Sequence, residues 1–426
     1  AQGARVTVTD LKTKEQLKPQ LDRLGKQKIN FVLGKHREQD FKNADLIVKN
    51  PGVPKTSKYL EIARKKKIPI ETDISLFFQM TDRKRIIGIT GTRGKSTTAS
   101  LIYDLIHAVD KHAVLGGNIT RSPLAQLAKI KKGGMVVLEL SSWMLESLEK
   151  TSPHISVFTN LYPDHLNTYS GMEEYASAKK NIFKSQNLQD FAVLNRDNGW
   201  TKKMGSKVPS QRFWFSLKEF KEENGCFARR GWIVFRRDGK ETKVLPIKEI
   251  KLLGKHNLEN VLASVCVGMI SGLNPSLVRK TVKGFKGVPD RLELLKEVKE
   301  VKFYNDTTST TPEATLAALS SFNLKKIVLL AGGADKGLDF KKVVGEMQKC
   351  KKAILFKGSG TERILKIWKN KKPLVADSMG QALDLGLSFA RKGDIIILSP
   401  ACASFGLFNN EFDRGGQFRK LVKELK

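Results

Sequence analysis

Apolar residues in this chain come in short, nearly continuous runs, separated by longer stretches in which they recur every third or fourth position. The runs read as strands and the stretches as helices. Runs without polar alternation belong to strands covered on both faces, as in a parallel sheet. The pattern predicts strands at 6–9, 29–33, 46–48 and 68–70, with a Lys-rich helix ending at Lys67. A second series has an apolar β-branched segment from Ile86 and strands at 135–140, 155–160, 191–195, 212–215 and 232–235, with helices at 172–183 and 261–270. The alternation restarts with strands at 301–304, 327–330, 353–356 and 395–399. The breaks fall at Thr81-Asp82-Arg83-Lys84 and Gly287-Val288-Pro289-Asp290-Arg291, so three α/β units are expected: 1–83, 84–287 and 288–426. No short-period repeat or low-complexity tract interrupts them.

Chemistry collects where predicted strands end. Ile86-Ile87-Gly88-Ile89-Thr90-Gly91-Thr92-Arg93-Gly94-Lys95-Ser96-Thr97 runs from a strand through glycines into a helix, the order that holds a polyphosphate. Gly91 and Gly94 free backbone N–H groups to face phosphate oxygens, Lys95 adds a point charge, and Ser96 can place its hydroxyl on Mg²⁺. Ile89 stands where the general P-loop has its first glycine, leaving the shorter Gly-Thr-x-Gly-Lys-Ser form. ATP binding is the expectation. Glu139 ends a buried strand and must be paired or metal-bound, since a lone carboxylate there costs several kcal/mol. Asp164-His165 follows another strand end. Lys179 and Lys180 lie in tandem on a helix, and nothing in the chemistry alone singles out Lys179.

Asn257 and Asn260, three apart, share one face of a helix's first turn and could read an adenine edge or cap the helix. Asp10, at a strand end, suits a ribose or base and equally suits a turn. Asn50-Pro51-Gly52 is a rigid loop that a ligand can approach closely, and Gly116-Gly117-Asn118-Ile119 is a further glycine turn. The loops 305–310, 331–336 and 399–404 end three strands of the last unit and should converge.

The 426 residues, 40% of them hydrophobic, suffice for several cores. No apolar run approaches the ~20 residues needed to span a bilayer, and no signal peptide is evident. The chain opens without Met and within an element, so sequence upstream is expected. Cys226, Cys266, Cys350 and Cys402 show neither zinc-site nor disulfide spacing, which fits a reducing cytoplasm. The net charge of +33 invites a nucleic-acid reading. Yet Lys65-Lys66-Lys67, Lys325-Lys326 and Lys351-Lys352 are scattered, no RNA-binding motif or basic arm accompanies them, and a solvated basic surface is the preferred explanation.

Together these residues resemble the Mur ligase family. Gly91-Thr92-Arg93-Gly94-Lys95-Ser96, Glu139-Leu140-Ser141-Ser142, Asp164-His165, His256-Asn257-x-x-Asn260 and Asp290-Arg291 stand in that family's order over essentially the whole chain. The resemblance implies Rossmann-like N- and C-terminal domains around a central P-loop ATPase domain. Gly116-Gly117-Asn118-Ile119, Ser399-Pro400-Ala401-Cys402-Ala403-Ser404 and Arg414-Gly415 are most similar to members that add D-glutamate to UDP-N-acetylmuramoyl-L-alanine through an acyl phosphate.

It further implies ATP on Gly91, Thr92, Arg93, Gly94, Lys95, Ser96 and Thr97, adenine at Asn257 and Asn260, phosphates at Arg291 and ribose at Asp306. One Mg²⁺ is implied on Ser96 and Glu139, and a second on His165 and a carbamate of Lys179. Asp10, Gly52 and Asn118 would meet the uridine diphosphate substrate, and Lys336, Thr310, Ser404, Phe408 and Phe412 the D-glutamate. A cytoplasmic monomer with small-molecule substrates, no nucleic acid and no membrane is expected. The family's first strand and its glycine loop are missing at the front, and Thr308 stands where some relatives carry Lys. Rival readings are another ligase of the superfamily with a different amino acid, as in folylpolyglutamate synthetase, a nucleotide-binding homologue without catalysis, and a basic P-loop protein that binds oligonucleotides.

Overall fold

The computed structural model describes residues 3–426 apart from positions 26, 55, 120, 121, 131, 132, 167, 370 and 371. Its centre is a nine-stranded sheet in which one interior strand, Ile86–Thr90, is buried at every residue. In space the order is Lys240–Pro246, Trp232–Arg237, Gly225–Arg229, Gln211–Ser216, Phe191–Asn195, Ile155–Phe158, Ile86–Thr90, Val136–Glu139 and Val114–Gly117. Strands from Val114–Gly117 across to Gly225–Arg229 pair in parallel, and the last two add antiparallel. Ile89 pairs with Glu139 on one side and Val157 on the other, so the phosphate-loop strand ends between the strands carrying Glu139 and the Asp164–His165 exit.

Each face of this sheet has its own core. On one, helices Lys95–His107 and Lys255–Ile270 pack together over Ile87, Ile89, Val157 and Val193. On the other, helix Met172–Lys184 covers Leu138, Phe158 and Leu194 with Tyr175, Ile182 and Phe183. Helix Asp73–Met80 sends Ile74, Phe77 and Phe78 into that second core. Full burial of such side chains contributes about 1.5–3 kcal/mol each, so the helices bearing the site are held by both cores rather than by local propensity.

The last unit is a six-stranded sheet ordered Glu293–Val298, Val301–Asn305, Ile395–Leu398, Ile327–Gly332, Lys352–Phe356 and Leu374–Ala376, parallel except for the first pair. The strands before the loops at 305–310, 399–404 and 331–336 are therefore neighbours. Near the N-terminus Val6–Asp10 pairs in parallel with Ile29–Leu33, and Ile47–Val48 with Ile70–Glu71. Strands at 225–229, 240–246, 293–298 and 374–376 had no counterpart in the apolar pattern. Lys240–Pro246 and Glu293–Val298 are edge strands with exposed charged positions, which removes the continuous apolar signal. Among the described residues no helix is long and apolar enough to cross a membrane.

Candidate active site

Gly91 and Gly94 make the turn between Ile86–Thr90 and Lys95–His107, with φ of 145° and 81°. A Cβ at Gly91 would lie 1.9 Å from Thr159 Oγ1, and one at Gly94 2.2 Å from Asn260 Oδ1. Only glycine fits at either place. The loop between them is held by the exit of the neighbouring strand. Asn160 accepts from Arg93 N–H at 2.9 Å through its side chain and from Thr92 N–H at 2.9 Å through its carbonyl. Thr159 Oγ1 and Asn160 Nδ2 donate to the Arg93 carbonyl at 2.6 and 3.1 Å. Lys95 folds back on the same loop, its Nζ donating to the carbonyls of Gly91 and Thr92 at 3.0 and 2.9 Å. Burial lowers its pKa, against the pull of Glu139, and the charge of Arg291 lowers it further.

Beneath the loop, Glu139 is 3% exposed. Its Oε2 accepts from Ser96 Oγ at 2.7 Å and its Oε1 from Asn118 Nδ2 at 3.1 Å. Both partners are neutral, and among the described residues no ion pair offsets this buried carboxylate. A divalent cation fits the demand of an acceptor-only group beside a hydroxyl. Among the described residues no three of His, Cys, Asp and Glu converge as a complete cage, so ligands from outside the protein, water or phosphate oxygens, would complete the coordination of a Mg²⁺ held here.

Lys179 is 2% exposed, and its Nζ donates to Gly91 O at 3.0 Å and Thr90 Oγ1 at 3.3 Å. Among the described residues no carboxylate forms an ion pair with it. Burial, helped by the charge on Lys95, puts its pKa well below the usual lysine range. Its Nζ stands 5.0 Å from the ring centroid of Tyr175, whose hydroxyl burial pushes up to about 12. Lys180 beside it is only half-buried. His165, in left-handed backbone at φ 54°, has its ring 5.0 Å from Trp143 and 6.1 Å from Tyr175, and burial lowers its pKa.

A cavity of about 650 Å³ opens from this floor toward the last unit, lined by the loop from Thr92 to Thr97, Glu139, Asn257, Asn260, Arg291 and Asp306. Asn260 Nδ2 donates to Asn257 Oδ1 at 3.2 Å and Thr98 Oγ1 to Asn260 Oδ1 at 3.3 Å, so the two amides form one chain running under Gly94. Asp306, 4% exposed, accepts from Leu292 N–H at 3.1 Å and Ser399 Oγ at 2.8 Å, and burial raises its pKa to about 6. Arg93 Nη2 reaches Glu313 of the last unit at 3.8 Å. A second cavity, of about 640 Å³, is lined by Asn50, Pro51, Gly52, Gly117, Asn118, Ser141 and Trp143. Asn118 belongs to both walls.

Comparison with known proteins matches the Mur ligase middle domain over residues 89–268, the Mur ligase glutamate ligase domain over 290–402 and the MurD-like N-terminal domain over 1–72. The UDP-N-acetylmuramoylalanine–D-glutamate ligase of Koribacter versatilis (strain Ellin345) is 38% identical over 425 residues, covering 100% of this chain and 93% of its own. The protein of that name from Roseiflexus sp. (strain RS-1) is 38% identical over 440 residues, covering 100% and 94%. The chain belongs to the Mur ligase family. At fold level this Mur ligase is similar to MurC of Thermotoga maritima, with TM-score 0.61, 19% identity and 98% and 93% of the two chains covered. MurF of Acinetobacter baumannii gives 0.62, 14%, 99% and 92%.

Within this Mur ligase the remaining expected residues fall unevenly. Lys336 Nζ donates to Thr310 Oγ1 at 3.0 Å, joining two of the three neighbouring loops, and Ser404 is buried in the third. Phe408 is turned into the core of the last unit, edge-on to Phe356 at 5.3 Å, because an aromatic ring beside a buried strand is worth more packed than wet. Phe412 is 62% exposed. Asp10 accepts from Lys12 N–H at 2.8 Å, a turn contact, and lines neither cavity described above. Thr159, Asn160 and Thr98 were missed by sequence reasoning although they hold the phosphate loop and the amide chain. The signal was present in the polar pair Thr159-Asn160 that ends the mostly apolar run from Ile155. Arg414, fully buried, donates to Thr307 Oγ1, Thr307 O and Cys402 O and ties two of the three loops together.

Proposed function

We propose that this Mur ligase joins D-glutamate to the alanyl carboxylate of UDP-N-acetylmuramoyl-L-alanine at the expense of ATP, in the assembly of peptidoglycan precursors. One observation supports the reading beyond the family likeness: the cavity over the glycine loop and the second cavity share Asn118, whose Nδ2 donates to Glu139 on the floor of the first. A carboxylate entering through the second cavity would reach the terminal phosphate of an ATP lying in the first. The carboxylate oxygen attacks the γ-phosphorus as the bond to ADP breaks, giving an acyl phosphate. The amine of D-glutamate then attacks the acyl carbon, the tetrahedral intermediate expels phosphate, and the nitrogen loses a proton to leave the amide.

Such a transfer depends on positioning and cationic stabilisation. Loop N–H groups from Gly91 to Thr97 and the Lys95 ammonium hold the β- and γ-phosphates, Lys95 exchanging its loop carbonyls for phosphate oxygens. Arg291 meets the phosphates from the opposite wall, Asn257 and Asn260 the adenine, and Asp306 the ribose. Gly52 and Asn118, which line the second cavity, receive the uridine diphosphate substrate, and Lys336, Thr310, Ser404 and Phe412 the D-glutamate dianion. Two Mg²⁺ ions, on Ser96 and Glu139 and on His165 with a carbamate of Lys179, would supply positive charge to the phosphoryl oxygens. Lys179 suits carbamylation because burial favours its neutral amine, and addition of CO₂ gives an anionic oxygen donor and one proton. The reading takes the enzyme as a monomer, and its nucleotide substrates favour the cytoplasm.

The test is phosphate release with UDP-N-acetylmuramoyl-L-alanine, ATP and a panel of amino acids. D-glutamate should be the active acceptor. Turnover with another amino acid in its place would move the enzyme elsewhere in the family, and none with any would sink the reading.

A further inference from the structure

Arg291 is set in an unusual frame. Asp290 and Leu292 on either side of it both adopt left-handed backbone, at φ 66° and 44°. That conformation is strained for a residue with a Cβ, above all for Leu, whose side chain offers no local hydrogen bond in compensation. Separate contacts hold each in place. The Asp290 carboxylate, buried, accepts from Asn305 Nδ2 at 2.7 Å and Arg419 Nη2 at 2.8 Å. Its carbonyl accepts from Thr308 Oγ1 at 2.8 Å, and its N–H donates to Glu293 Oε2 at 2.8 Å, a group that Arg419 also bonds, at 2.7 Å. On the other side, Leu292 N–H donates to Asp306 Oδ1 at 3.1 Å.

The residue between them is free where its neighbours are bound. Arg291 is exposed, lines the cavity opposite the phosphate loop, and among the described residues its guanidinium makes no hydrogen bond or ion pair. A turn serving only to link two units would need no such clamping on both sides of one cation. We propose that Asn305 and Arg419, acting through Asp290, and Asp306, acting through Leu292, form a positioning bracket that fixes Arg291 on the last unit so that its guanidinium meets the nucleotide phosphates. This rests on the reading of Arg291 as a phosphate ligand.

Four full-length variants test it: Arg291→Ala, Arg419→Met, Arg419→Lys and the double Arg291→Ala/Arg419→Met. The measurement is the affinity for ATP with Mg²⁺, by titration calorimetry without the other substrates, beside a melting curve for each protein. A charge-assisted hydrogen bond to phosphate predicts a loss of about 10–100-fold for Arg291→Ala. Arg419→Met should lose about 5–10-fold, Arg419→Lys should regain most of that by bridging both acids, and the double variant should bind no worse than Arg291→Ala alone. If Arg419→Met costs the same factor in both backgrounds, Arg419 acts through overall stability and the bracket is refuted while Arg291 keeps its role. The same follows if Arg419→Met binds ATP like the parent. If Arg291→Ala itself binds ATP like the parent, the phosphate reading of Arg291 falls, and the bracket with it.

Discussion

Replacing Lys179 by Met removes a buried amine without emptying its space, and its effect on stability should oppose its effect on turnover. In the folded chain the amine is neutral at a pH where the unfolded chain, with a lysine pKa of about 10.4, carries a proton. That depression costs folding free energy wherever the unfolded chain is protonated. Met restores this and forfeits two hydrogen bonds, worth about 1 kcal/mol each. Neither acceptor is stranded: Gly91 O keeps Lys95 Nζ at 3.0 Å, and Thr90 Oγ1 keeps its own donation to Leu140 O at 2.8 Å. A depression that outweighs those two bonds leaves the variant the more stable. For a unit of this size each kcal/mol raises Tm by about 2–4 °C.

The sign with pH follows from linkage. Between the depressed folded pKa and about 10.4 the unfolded chain binds more protons, so parental stability rises with pH and the advantage of Lys179→Met shrinks toward pH 10. The assay is thermal melting in CO₂-free buffer at several pH values, beside turnover, which should fall at least about 10²-fold. Bicarbonate enriched in ¹³C should give the parent, and not the variant, a carbamate carbon signal. A variant that melts lower than the parent by a pH-independent margin would show that Lys179 is a structural donor and refute the reasoning. Absence of the carbon signal would remove the carbamate.

Other outcomes follow from single atoms. Gly94→Ala places a methyl 2.2 Å from Asn260 Oδ1 at φ 81° and should cut ATP affinity by roughly 10²-fold or more, read by calorimetry, with helix content by circular dichroism unchanged. Glu139→Gln can keep its contacts with Ser96 and Asn118 while losing the charge, so the Mg²⁺ concentration for half-maximal activity should rise about 10-fold or more. Asp306, with its pKa raised to about 6, keeps its proton when folded and loses it when unfolded between about pH 4 and 6, so its ionisation costs stability above that window. Asp306→Asn should therefore gain over the parent, by about 2–3 kcal/mol, as pH rises from 4 to 7, and gain nothing at pH 4; urea melts at the two ends check it.

Much of the site was legible because strand ends in a parallel α/β sheet concentrate chemistry, and strands buried on both faces announce themselves by unbroken apolar runs. Ile86–Thr90 leading into Gly91–Gly94–Lys95, and Glu139 closing Val136–Glu139, required only local order along the chain. What the residues alone could not supply was which ends are neighbours. Strand order puts Glu139 and the 159–165 exit on either side of the phosphate loop, and makes neighbours of three loops far apart in sequence. The same holds for Lys179. On its helix it reads like Lys180, and only packing of Met172–Lys184 against the sheet buries one amine under Gly91 while the other stays half-exposed. Phe408 shows the reverse, an aromatic in a motif loop that the core claims. Local sequence determined which groups stand at which strand ends. Tertiary packing decided which of them are stripped of water, and desolvation is what turns an ordinary side chain into a reactive one.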